Sequence, residues 1–477
     1  MAFTRRQFLT RAGLFTAGAA LGPNLLPNPL LRRALADYLG DHYLILLQAD
    51  GGNDGLNTVI PTGNGSYGAL RTRYEVVRDT GAGGLQIDES SLAATALDPE
   101  AGSGTPLALH PGLSGFKSIY DLGRLAVIQG CGYPNQDLSH ATSRGYWQTG
   151  DPLDTVGGNT GWMGRYLIAM GYNALDISSV NVRNSVAEEF IQAITNVLTL
   201  RRLEDFTFPY DAYDPSDDTQ KRTAFLTLCA AASANAEATR KFLGDVGTAT
   251  LNASEHYPDV SGIYTADRPS WNTGYTTLGS PMANDLREVA KVIYATENEV
   301  DPQVNARFFQ VRKGGYDTHS NQGSLTGRHN TLHVEVGDAV EHFYQDLANM
   351  PASGGGTVAE KAVIVWWSEF SRRVNQNSTG TDHGSQGPMF VMGGSVAGGI
   401  YGNHPNINTL NSSGNTIYSQ DAGDAYRSTD FRDVFGTVLK HWLALPNPAL
   451  VFPVDAAPPG QEDLYWTVPD FDLGFLP

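Results

Sequence analysis

An almost unbroken apolar run, Tyr43-Leu-Ile-Leu-Leu-Gln-Ala-Asp50, ends in two glycines. A run that does not alternate and is closed by glycine predicts a strand buried on both faces, as in a parallel sheet. Similar runs recur at Leu125–Gly130, Ala306–Arg312 and Ala362–Phe370, with a shorter one at Pro388–Met392. Helical spacing predicts helices over Leu113–Tyr120, Ala141–Trp147, 187–206, 218–245, 282–297 and 325–349. A closing helix spans Asp430–Trp442, with Asp430 as its N-cap. Polar stretches at 207–217 and 246–281 separate the middle helices, and 184–300 reads as a mostly helical segment packed on the sheet, a candidate cap. Residues 62–105, rich in Gly, Ser, Thr and Asp, read as a long surface insertion. Strands interleaved with helices predict an α/β fold.

The strand ends carry the chemistry. Ligands of open α/β sheets sit just beyond the carboxyl ends of the strands, and Asp50 falls at that point, with Gly51 and Gly52 allowing a sharp turn. An Asx-type turn that merely ends the strand is the plainer reading. Asp317 and His319 follow the 306–312 strand, and Glu369 closes the 362–370 run. Ser139-His140 and Asp382-His383 lie in two further loops. Carboxylates and imidazoles converging on one sheet edge suit Zn²⁺, Mn²⁺ or another divalent ion in a mixed oxygen/nitrogen site. Paired ions in such a site clamp the attacking and leaving oxygens of an in-line displacement. A serine at a helix start beside a metal could ionise and act as nucleophile.

Each fragment also has a purely structural reading: a capping turn for Asp317–His319, an ion pair of Glu369 with Arg372 and Arg373, an N-cap for Ser139. His329 and His333 have zinc-like i, i+4 spacing but lack the intervening acid of the metalloprotease motif, so they read as an exposed helical face. His42, His110, His256, His342, His404 and His441 receive no role.

With 477 residues, 41% of them hydrophobic, the chain can bury a large core. A prior of roughly 150 residues per domain suggests two or three domains, although large α/β enzymes exceed it. At the N-terminus, Arg5-Arg6-Gln7-Phe8-Leu9 and a weakly apolar stretch to Leu21 precede Ala34-Leu35-Ala36, a small-x-small cleavage pattern. The stretch is far below the ~20 residues needed to span a bilayer. It resembles a twin-arginine export signal, which implies folding before translocation by the twin-arginine machinery and a periplasmic or secreted mature chain from residue 37. Cleavage removes five arginines and no acid, taking the formal charge from −18 to −23. So acidic a surface argues against nucleic acid or anionic lipid as partner, and no membrane span is expected in the mature chain. Two cysteines, Cys131 and Cys229, exclude a disulfide framework and leave one bridge or two buried thiols open.

The blocks Asp50-Gly-Gly-Asn-Asp-Gly-Leu-Asn57, Leu109-His-Pro111, Gly132-Tyr-Pro-Asn135, Ser139-His140, Gly161-Trp-Met-Gly-Arg165, Gly315-Tyr-Asp-Thr-His-Ser-Asn-Gln322, Ser368-Glu-Phe-Ser-Arg372 and Gly380-Thr-Asp-His-Gly384 resemble, in order, the signature blocks of the exported DUF1501 family. They run through nearly the whole mature chain. That family is similar to the alkaline phosphatase/sulfatase superfamily, which implies a three-layer sandwich: a central, mainly parallel mixed sheet flanked by helices, with a metal site at the strand ends. The resemblance implies that Asp50 is the first-strand metal ligand, Ser139 the helix-start nucleophile, and Asp317 and His319 the Asp/His pair of one metal. Glu369 stands where an Asp, usually followed by His, binds a second metal, and Phe370 departs from that pattern. Asp382-His383 supplies the missing imidazole or matches the final His of the superfamily. A formylglycine sulfatase is not implied, because Ser143 stands where that modification needs Arg.

The function so implied is an exported hydrolase of phosphate or other small anionic esters. It uses a divalent metal (Zn, Mn, Mg or Ca) held by Asp50, Asp317, His319, Glu369, Asp382 and His383. Ser139 attacks, His140 protonates the leaving group, and Arg372 or Arg165 holds the anion. The alternative is a non-catalytic exported protein of the same fold, with a structural metal site or a binding cleft.

Overall fold

The computed structural model describes residues 42–477 apart from 64–67, 79–80, 82, 102, 155–159, 174, 183–186, 192–195, 209–216, 302–303, 406, 408–426 and 459–464. The predicted export leader lies outside the described residues. A nine-stranded sheet forms the middle layer. In chain order its strands are β1 (Tyr43–Asp50), β2 (Leu125–Gly132), β3 (Ser179–Val182), β4 (Val197–Leu200), β5 (Phe308–Gly314), β6 (Ala362–Trp367), β7 (Gly387–Met392), β8 (Gly399–Tyr401) and β9 (Thr429–Asp430). Across the sheet the order is β8-β2-β7-β6-β1-β5-β3-β4, with β9 also beside β2. β1 lies between β5 and β6, parallel to both, with Asp50 opposite Gly314 and Gln48 opposite Trp367. β7 alone among these strands runs antiparallel to its neighbours, β2 and β6.

Side chains of β1 alternate between two cores. Tyr43, Ile45, Leu47 and Ala49 face a layer that includes α2 (Ser114–Asp121), α6 (Ala238–Asp267), α7 (Pro269–Leu278), α8 (Pro281–Glu297) and α9 (Arg328–Ala348). Leu44 and Leu46 face α3 (His140–Thr149), α4 (Trp162–Ala169) and α10 (Phe431–Thr437). The result is an α/β fold in three layers, with apolar side chains on both sheet faces, as the unbroken run in β1 requires. No helix among the described residues is long and apolar enough to cross a membrane.

Three stretches differ from the pattern-based expectation. Residues 187–206 are not one helix: Val197–Leu200 is an outer strand flanked by short 3-10 turns. Its Val/Leu spacing satisfies a helical and a strand period alike over so few residues. Conversely, 246–281 is largely helical: after α5 (Asp218–Ser233), α6 runs on through Pro258 to Asp267 and α7 follows at once. The region 184–300 therefore supplies sheet strand β4 as well as helices. The supposed surface insertion, 62–105, contains α1 (Gly68–Val77) and builds a third small core with Tyr74, Val77, Ile87 and Leu92. Both cysteines are buried free thiols.

That third core also braces the loop after β1. Arg78, just beyond α1, places Nη2 2.7 Å from Asp54 Oδ1, and both side chains are fully buried. Gln322 donates to the other Asp54 oxygen, and Asn57 N–H caps against the first. Removing one partner of a buried pair strands the other charge. Arg78→Ala is therefore expected to lower stability by about 3–5 kcal/mol, read from urea unfolding curves of the two proteins.

Candidate metal centre

Parallel strands deliver their carboxyl ends to one edge of the sheet. There the loops after β1, β2, β5 and β6 meet the segment entering β7. Gly51 and Gly52 follow β1 with φ of +121° and +77°. A Cβ on Gly51 would lie 2.3 Å from the backbone nitrogen of Asp317, and one on Gly52 would lie 2.3 Å from the Phe370 ring. The glycines are thus required by close approach as well as by backbone conformation.

Arg372 fills the space under these loops. Its Nε donates to Gly52 O (2.8 Å), Nη1 to Thr381 O (3.0 Å), and Nη2 to Gly51 O, Tyr316 O (3.1 Å) and Asp317 Oδ1 (2.7 Å). The guanidinium is fully buried with its three nitrogens all engaged, so it joins three loops and is not presented to a substrate anion. Arg165 is committed in the same way, to the carbonyls of Thr149, Thr160 and Val451. Both arginines are thus committed to protein acceptors in this structure, where the expectation from sequence placed one of them on the anion.

Three imidazoles surround Asp317 Oδ1: His140 Nε2 at 3.5 Å, His319 Nε2 at 3.2 Å and His383 Nε2 at 3.4 Å. Each ring is oriented by its other nitrogen. His140 Nδ1 lies 2.9 Å from Glu369 Oε1, His383 Nδ1 lies 2.7 Å from Leu138 O, and His319 Nδ1 lies 3.3 Å from Asp382 Oδ1. Carboxylates and carbonyls only accept, so each Nδ1 carries a proton, and a cation bound at the centre would meet the Nε2 lone pairs. His140 Nε2 is buried without a hydrogen-bond partner. His319 Nε2 and His383 Nε2 stand 2.9 Å apart, a contact that needs a proton or a cation between two lone pairs. Ligand atoms of His140, Asp317 and His383 all lie within 4.8 Å of one another and could hold a metal ion. The donor set, nitrogen from histidine with one carboxylate oxygen, suits Zn²⁺ or a neighbouring divalent transition metal.

Partial burial pushes the Asp317 carboxyl up, but Arg372 outweighs it, with help from His140 and His383, and holds it at about 2. It is therefore an anion at any ordinary pH. His140 is raised, chiefly by its hydrogen bond to Glu369. His383 is lowered by burial, against the pull of the Leu138 carbonyl.

The sequence-predicted residues thus divide. Asp317, His319, His383 and His140 come together around one point. Glu369 is fully buried and accepts from His140 and from Gly51 N–H (2.8 Å), and Asp382 orients His319. Both acids act behind the rings in this structure, not at the centre. Asp50 is turned elsewhere, into ion pairs with Arg144 (3.1 Å) and Arg312. Ser139 precedes α3 in the N-cap position, exposed, and its hydroxyl makes no capping bond. His140 has one nitrogen on Glu369 and the other facing Asp317, which leaves no proton aimed at a leaving group. Phe370 supplies a wall: its ring centroid lies 4.8 Å from His140 and 4.6 Å from His383.

His329 and His333 are not an exposed face. Both are fully buried, with ring centroids 4.0 Å apart, and His110 joins them at 5.5 and 5.0 Å. His329 Nε2 meets Asn53 Oδ1 at 3.0 Å and His333 Nε2 meets Thr58 Oγ1 at 3.1 Å, so the trio braces the loop after β1 from below. The helical spacing was the legible signal; its burial was not, because the partners come from the 53–58 loop.

An α/β protein with a metal-competent cluster at the strand ends is the class defined by these observations. A family model described as "Protein of unknown function (DUF1501)" matches residues 302–419, which supports the family over that segment. The segment contains Asp317, His319, Glu369, Arg372, Asp382 and His383, and not Asp50, Ser139 or His140. No curated protein and no solved structure matches the chain.

Two outcomes follow from this packing. Arg372→Ala leaves four backbone carbonyls and Asp317 without their donor and is expected to cost about 3–5 kcal/mol in urea unfolding. Burial lowers His110 to about 4 and His329 and His333 well below their ordinary value. The unfolded chain takes up protons below its own pKa of roughly 6.5 while these buried rings stay neutral, so stability is full above that pH and falls as pH drops. The slope is about 1.4 kcal/mol per pH unit for each ring, and unfolding midpoints between pH 8 and 4 should flatten in His333→Gln.

Proposed function

We propose that the chain is an exported metal-dependent hydrolase of phosphate or other anionic esters, its site built in the manner of the alkaline phosphatase superfamily. The observation that carries this reading is the convergence of three inward Nε2 atoms on Asp317 Oδ1, each ring held by an acceptor behind it. Oriented, neutral imidazoles with one carboxylate are what a catalytic divalent ion requires. When bound, such an ion would neutralise developing charge on the ester and lower the pKa of a nearby hydroxyl. His140, Asp317, His319 and His383 hold it. Glu369 and Asp382 keep two of the rings in the binding tautomer. Ser139 is the nucleophile, because its hydroxyl is exposed, uncommitted and one residue from His140 at the start of α3.

A structural cation site in a non-catalytic protein is the competing reading, favoured by the commitment of Arg372 and Arg165 to backbone carbonyls. Metal content by elemental mass spectrometry, with a screen of chromogenic phosphate mono- and diesters, separates the two. The expected result is bound divalent metal and turnover that falls at least ~10³-fold in Ser139→Ala, with metal retained. Asp317→Asn should lose the metal. A metal-free, inert protein whose thermal stability is untouched by Asp317→Asn would remove this reading altogether.

A further inference from the structure

The loss of Arg372 and Arg165 as anion contacts raises the question of which cations are free. Helix α3 answers it. His140, Arg144 and Gln148 recur at four-residue spacing, so they line one face of the helix, with Cβ atoms roughly 5–6 Å apart from turn to turn. His140 faces Asp317 and Glu369, Arg144 reaches Asp50, and Gln148 Nε2 donates to Glu189 Oε2 at 3.0 Å. From the sheet side, Arg312 of β5 also pairs with Asp50. Its Cα is registered against Gln48 of β1, next to Asp50's position on the same strand face as Leu44 and Leu46.

The two arginines differ from Arg372 and Arg165 in a decisive way. Arg144 gives a single bond, from Nη1 to Asp50 Oδ1, and Arg312 a single bond, from Nη2 to Asp50 Oδ2. Their side chains are 24% and 33% exposed. A guanidinium has five N–H groups, so each keeps several for a ligand. Asp50 fixes both in place but neutralises only one, leaving a local positive charge on a chain whose formal charge is −18. Glu189 does not cancel it at mildly acid pH, since burial raises its carboxyl to about 7. Behind the pair, Gln48 has both amide atoms buried without a partner, and Gln148 Oε1 and Glu189 Oε1 are likewise unpaired. These buried polar atoms mark a place built to meet a polar group.

We propose that Arg144 and Arg312, clamped by Asp50, are the anchor for the acidic group of the substrate. They would hold a phosphate-type oxyanion one helical turn from His140, with Gln48 and Gln148 serving hydroxyls or water behind it. This rests on the metal-ester reading above for the reaction, although the binding it describes does not. Asp50, placed by sequence as a metal ligand, becomes the residue that positions the arginines.

The test is calorimetric titration of the full chain with inorganic phosphate, with and without added Zn²⁺, together with metal stoichiometry. Arg144→Ala and Arg312→Ala should each weaken phosphate binding at least tenfold and leave metal stoichiometry unchanged. Arg144→Lys and Arg312→Lys, which keep the charge and the fold but lose the fork, should fall between. Failure of the wild type to bind phosphate, or affinity unchanged in the alanine or lysine variants, would overturn the anchor. Loss of Zn²⁺ binding by the wild type would count against the metal-ester reading alone. The titration in metal-free protein would then still decide the anchor.

Discussion

One buried guanidinium holds the centre together. Arg372 reaches the carbonyls of Gly51, Gly52, Tyr316 and Thr381 and the carboxylate of Asp317. Those groups belong to the loop after β1, the loop after β5 and the segment leading into β7. Each loop turns away from a strand and exposes carbonyls that no ladder can satisfy. A planar fork with five donors can serve several of them at once, which an ammonium cannot. The same contact keeps Asp317 ionised, so the residue that fixes the backbone also sets the charge of the acid at the centre.

Around that acid, the order of groups is acceptor, ring, carboxylate. Glu369, Asp382 and the Leu138 carbonyl each accept a hydrogen bond from Nδ1 of one imidazole. Ser143 and Gln136 hold the Glu369 carbonyl, and Trp147 stacks on Trp367 at 5.2 Å and on Phe431 at 4.3 Å. The rings are therefore fixed by contacts that reach into the second core. Phe370 lies against His140 and His383 and fills that side of the centre with hydrocarbon.

Much of the sheet was legible. β1, β2, β5 and β6 are apolar runs closed by glycine or by polar residues, and such runs have few other stable settings. Residues 317 and 319 were read at a strand end and 140 and 383 in two further loops, and the structure brings the four together. Their division of labour did not. Glu369 and Asp382 carry the right atoms for a ligand, and only geometry shows them one step back. Arg372 looked like a substrate contact because its partners are backbone carbonyls, which every sequence has. His329 and His333 were misplaced for the same reason, since burial depends on what packs above a helix. Val197–Leu200 was lost because four residues cannot distinguish two periods.

The topology has a consequence for how the molecule must be assembled. Among the described residues, β2 joins the larger part of the sheet only through β7, and its other neighbours, β8 and β9, also come later in the chain. Until residues 387–392 slot in, the sheet is two separate pieces, one ending in the His140 loop and the other carrying Asp317. His383 stands four positions before β7. Closing the sheet and bringing the third ring into place are thus a single late event. During synthesis at ~5–20 residues per second, β2 waits for its β7 edge for on the order of tens of seconds.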